Sequence, residues 1–157
     1  MLERKLNQYV FMSIVIACLQ FVLIICISFV SIEGTMIQKT LAYIIAFLFW
    51  ISIIFEIVLV RLSDKERRKS GKRFYIRRKI NQSPIGMFSF FKNKEAIVVD
   101  IIFIISIVSI VIIICMHAKA SWIIISVVSI FILSFNLHCI LNGRNYRYLK
   151  ELKNKKE

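Results

Sequence analysis

Glu56 stands inside the stretch SIIFEIVLVR, Ser52 to Arg61, among residues otherwise suited to lipid, and Asp100 and His138 stand in two further apolar runs. Counted at ~1.5 Å of helical rise from the nearest basic residue, Arg61, Lys94 or Arg144, Glu56 lies ~8 Å inside its run, and Asp100 and His138 lie ~9 Å inside theirs. Three titratable groups at one level can share a proton, bind a cation or form a buried hydrogen-bonded cluster. Carboxylate and imidazole also suit zinc or iron. The three residues nevertheless belong to separate segments and form no local signature such as H-E-x-x-H, so no metal or other cofactor is expected. An ionisable group near the middle of a membrane costs roughly 2.5–3.5 kcal/mol on insertion scales and normally faces protein or water. The plainer reading is that all three only lock helices together, with Glu56 reaching back toward the basic loop.

Uncharged polar residues extend the pattern. Gln20 is an amide deep in the first apolar run, sharing a helical face with Ser13 and Ser31, and its expected role is an interhelical hydrogen bond worth about 1 kcal/mol. In the last run, Ser134 and His138 fall on one helical face, with Ser129 and Asn136 on nearly the opposite one. Two polar faces predict two packing partners, the second of which can belong to another subunit or another protein.

The elements that must position these groups follow from composition. With 59% apolar residues in 157, the chain carries more hydrophobic surface than a soluble core of that size can hide. Four stretches, at 9–31, 40–61, 96–116 and 121–141, each supply about 20 mostly apolar residues, enough to cross a ~30 Å hydrocarbon core. Rich in Ile, Val and Phe, they would suit strands in water, but an open strand edge in lipid leaves backbone groups unsatisfied, so helices are expected. The fold class is therefore an all-α integral membrane protein. Short outer connections predict two antiparallel hairpins, helices one with two and three with four.

Charge sets the expected orientation. Twenty of the 22 Lys and Arg residues fall before the first span, from the last residue of span two, Arg61, up to span three, or after span four. The positive-inside bias then puts both termini, the loop at 62–95 and the tail at 142–157 in the cytoplasm. The net charge of +13 follows from that topology and from the anionic lipid of the inner leaflet, rather than from nucleic-acid binding. A cell membrane, in particular a bacterial cytoplasmic membrane, is the expected setting.

Within the loop, Ser63-Asp64-Lys65-Glu66 has the form of a capping box and predicts a short helix from Asp64 to Ser70. Arg73, Arg77, Arg78 and Lys79, interleaved with Phe74, Tyr75 and Ile76, make a basic amphipathic segment suited to an anionic surface or an acidic partner. Ser83-Pro84 predicts the start of an interfacial helix over the aromatic run Ile85–Phe91. In the tail, Arg147 and Glu151 at i, i+4 predict a helical continuation of span four. Val15-Ile16-Ala17-Cys18 resembles the lipobox of bacterial lipoprotein signal peptides, but the apolar run continues through Leu19–Ile25, so an uncleaved span is expected. The four cysteines show no C-x-x-C pairing and are read as small buried hydrophobes.

No motif names a reaction. Cys139 and His138 are neighbours that point about 100° apart on a helix, and nothing supplies an oxyanion site; an enzyme is not expected. Two readings are carried forward. The first is a small multi-pass accessory protein that docks on a larger membrane or cytoplasmic partner through its helices and basic loop. The second is a proton- or cation-coupled transporter, built as a homo-oligomer, that uses Glu56, Asp100 and His138.

Overall fold

A computed structural model of the chain describes residues 2–29, 35–69, 85–116 and 121–154. Among these residues there are five α-helices and no strand: α1 (Leu2–Phe29), α2 (Met36–Lys69), α3 (Ile97–Cys115), α4 (Ser121–Leu141) and α5 (Arg144–Asn154), with a 3₁₀ turn at Lys94–Ala96 leading into α3. Four of the helices, α1 to α4, are long and apolar enough to cross a membrane. Helical bonding satisfies every interior backbone group within its own segment, which is what a medium without water demands. α1 runs without interruption through Val15–Cys18.

The spanning helices form an open row. α1 packs against both α2 and α4, and α3 packs against α4. Among the described residues, α2 packs directly on neither α3 nor α4, and α1 does not pack on α3. The order across the row is therefore α2, α1, α4, α3.

Packing is concentrated where the charges are. Leu6, Val10 and Ala17 of α1 meet Ile140 of α4 and Tyr148 and Leu149 of α5 in one buried cluster. α5 is short and polar overall, but its Tyr148 and Leu149, with Leu152 beside them, form an apolar stripe against the first turns of α1. Burying such a side chain is worth about 1.5–3 kcal/mol, which holds an 11-residue helix that would be marginal alone.

Three local expectations are corrected. α2 continues straight through the supposed capping box to Lys69, so no new helix begins at Asp64. Ser63 is buried mid-helix, its hydroxyl without a hydrogen-bond partner among the described residues. The tail does not prolong α4: the chain breaks at Asn142-Gly143 and α5 starts at Arg144, because the stripe at Tyr148 and Leu149 is buried against α1. Ile85–Phe91 folds as turns rather than an interfacial helix. Its backbone is taken up by contacts with α3 and α4, described below. Ser83 and Pro84, like Arg73, Arg77, Arg78 and Lys79, lie outside the described residues.

Candidate functional site

The end of α4 shows why residues 85–93 sit where they do. A helix leaves its last four carbonyls without intrahelical partners, and in a low-dielectric setting each needs another. His138 C=O accepts from the Asn142 N–H at 3.0 Å, and Ile140 C=O from the Gly143 N–H at 3.1 Å. Cys139 C=O accepts from the Gly86 N–H at 2.8 Å, and Leu141 C=O from the Asn93 side-chain amide at 3.0 Å. Two of the four partners thus come from the segment before α3. Only glycine fits at 86, since a Cβ there would lie 2.3 Å from the Asn142 carbonyl carbon and 2.4 Å from its oxygen.

This seating closes one polar network. Asp100, in the first turn of α3, and His138 of α4 are both fully buried, with Asp100 Oδ1 2.6 Å from His138 Nδ1. The same oxygen accepts from the Asn142 side-chain amide at 2.9 Å, and Oδ2 accepts from the Phe91 N–H at 2.7 Å. A buried carboxylate is tolerable only with partners of this kind, and the positive end of the α3 dipole adds to them. Phe91 turns its N–H inward from a left-handed backbone, φ 55°, unusual for a bulky residue. The His138 ring stacks on Phe90 and on Phe103, at centroid distances of 4.3 and 5.5 Å, and its Nε2 lies 3.4 Å from the Met87 carbonyl oxygen. The aromatic residues that sequence assigns to a membrane surface supply, in Phe90, part of the wall around this pair.

A second network spans the other half of the row. Glu56 of α2, half-buried, accepts from the Gln20 side-chain amide of α1 at 2.9 Å. Gln20, almost fully buried, accepts through its own oxygen from the Asn136 amide of α4. One glutamine therefore ties α2 and α4 to the helix between them. The groove between α2 and α4 remains open as a cavity of about 360 Å³, lined by Ile53, Glu56, Ile57, Val60, Arg61, Ile85 and Cys139.

The three titratable residues singled out in the sequence divide accordingly. Asp100 and His138 meet, whereas Glu56 joins Gln20 and Asn136. Among the described residues, no group of three or more His, Cys, Asp or Glu side chains is placed to hold a metal ion. The two polar faces of α4 find their partners within the chain: His138 bonds α3 and Asn136 bonds α1. Each helix contact along the row thus carries a polar pair. The cysteines are free thiols, with Cys18, Cys26 and Cys115 exposed and Cys139 buried.

Sequence reading missed the residues that complete the charged end. Asp64 accepts from Arg67 at 2.7 Å, from Arg68 at 2.8 Å and, across the fold, from Arg144 of α5 at 2.8 Å. Arg67 also donates to Asn145 at 3.1 Å. Lys150 pairs with Glu95 at 2.8 Å, and the Tyr146 hydroxyl donates to the same carboxylate. Burial, and then that carboxylate, push the Tyr146 hydroxyl up to about 12. Asn142 and Gly86 were the signals within reach, as a helix-stop residue followed by glycine and as a glycine in an aromatic run. Nothing in the spacing pairs Asp64 with a residue 80 positions away. Set against known protein families, curated proteins and solved structures, the chain matches none.

Proposed function

We propose that the chain is a small multi-pass accessory protein, with both termini and its charged loop in the cytoplasm and its helices paired as two hairpins. It docks on a larger membrane partner along the edge of its helix row, and its basic inner loop meets the partner and the anionic leaflet. The observation that carries this reading is the open row itself: α2 packs on α1 on one side and presents the stripe Tyr43, Phe47, Trp50 and Ile54 on another, each more than 60% exposed. Large aromatic side chains at helical spacing are typical anchors of an interface. The intramembrane polar groups are engaged inside the chain, as expected of residues that hold a scaffold rigid. Transport through a single Glu56, Asp100 and His138 site draws less support, because the three divide between two networks and a row of helices encloses no path alone.

The test is extraction from the native membrane in mild detergent, followed by the mass and composition of the complex. A stoichiometric second protein, lost in a Trp50→Ala/Ile54→Ala variant, is the expected result. A bare homo-oligomer would return the weight to transport, with Glu56 the first residue to substitute.

A further inference from the structure

Two cavities meet at Arg61. The groove between α2 and α4, about 360 Å³, is walled by Ile53, Ile57, Val60, Ile85 and Cys139 and ends at Arg61. Beyond it lies an open cleft of about 540 Å³, lined by Arg61, Asp64, Lys65, Arg68 and Lys69. Ile53, Ile57, Arg61, Asp64, Lys65 and Arg68, from the two linings, fall at spacings of three and four residues and share one side of the helix. Arg61 is the first basic residue after the long apolar stretch of α2. It therefore stands at the level of the lipid headgroups.

The charges are not balanced within the cleft. Of its four cations Arg68 is paired with Asp64, which also holds Arg67 and Arg144, and Lys69 is paired with Glu66, which leaves Arg61 and Lys65 as the excess charge. Among the described residues Arg61 and Lys65 are in no ion pair. Glu56, the ionisable group in the apolar lane, is held at its wall by the Gln20 amide. An apolar lane that opens onto unpaired cations at headgroup depth matches one ligand chemistry: an acyl chain continued by a phosphodiester.

We infer that this side of α2 is a seat for one anionic diacyl phospholipid. The phosphate is held by Arg61, Lys65 and Arg68, and one acyl chain lies along Ile53, Ile57 and Val60 toward α4. At the same spacing the stripe at Tyr43–Ile54 runs on into Ile57 and Arg61, so the seat lies at the inner end of that face; it does not depend on the accessory reading.

Native mass spectrometry of the full chain, in micelles carrying equal phosphatidylglycerol and phosphatidylcholine, tests the seat. The wild type should retain one phosphatidylglycerol in preference to phosphatidylcholine. Arg61→Gln/Lys65→Gln, which removes two exposed side chains without a structural ion pair, should weaken that retention about 30-fold, from the usual attraction per basic residue at an anionic surface. Lys92→Gln/Lys94→Gln removes the same charge outside the cleft and should leave retention unchanged. Ile57→Trp blocks the chain lane with all charges kept and should lower retention several-fold. Equal retention of both lipids, an equal loss in the Lys92/Lys94 control, or wild-type retention in either the cleft or the lane variant would overturn the proposal. Circular dichroism of each variant separates loss of the seat from loss of the fold.

Discussion

The two ends of the helix row are built on different terms. At the charged end Leu6, Asp100, His138 and Asn142 are wholly buried, while Met36 and Ile37 at the start of α2 and Met116 at the end of α3 are more than 70% exposed. Apolar side chains at the far end gain nothing by packing on one another when lipid is an equivalent neighbour, so they need not. Polar and charged groups have no such alternative and must find protein partners or water. The difference teaches that away from the buried cluster around Leu6, Val10, Tyr148 and Leu149 the helix contacts are specified by polar residues, while most apolar residues of the spans provide membrane residence.

Asp100→Ala should break that contrast most severely. It leaves His138, Asn142 and the Phe91 N–H without their shared acceptor, a loss of about 3–5 kcal/mol by the measure of broken buried pairs. The exposed Ile112→Ala on the same helix should change stability by about 0.5 kcal/mol or less. Reversible unfolding in mixed micelles compares them, and equal effects would remove the distinction between the ends. Gly86→Ala comes next, at roughly 1–3 kcal/mol, because its methyl must displace the backbone of Asn142. Unchanged stability there would mean that residues 85–93 do not seat on α4 as described.

Smaller effects sharpen the picture. Gln20→Leu removes the bridge between α2 and α4 and should cost about 1 kcal/mol, visible in the same unfolding assay and lost or reversed in a Glu56→Leu/Asn136→Leu background, where Gln20 has neither partner. Smallest is a pH effect at α5. The Tyr146 hydroxyl is raised from 10.0 to about 12 in the folded chain, so its contribution is complete below about pH 10 and is lost as pH rises through about 12. Tyr146→Phe should lack that alkaline loss, and melting curves collected across this range would reveal it.

The sequence made the membrane helices legible because hydrocarbon thickness and backbone hydrogen bonding leave few alternatives. It also singled out Asp100 and His138, since a charged residue inside an apolar run needs a partner. Their pairing was less accessible than their depth. Helical rise gives the level of Glu56, Asp100 and His138 but not their azimuth, and azimuth sends Asn136 to α1 and His138 to α3. The turn at Ile85–Phe91 was hidden for another reason. Its conformation answers the free carbonyls at the end of α4, some 50 residues away, and no local pattern records that demand. Likewise α5 is a separate helix because of where its apolar stripe is buried, which the i, i+4 pair of Arg147 and Glu151 does not reveal.

The proposed interface between the exposed edge of the row and another protein is open to a direct test. A photoreactive amino acid placed at Trp50, and separately at Ala17 on the buried face of α1, tests this in the native membrane. The account predicts that position 50 forms an adduct of defined mass with one second protein while position 17 yields none. Adducts at position 50 to lipid alone would contradict it.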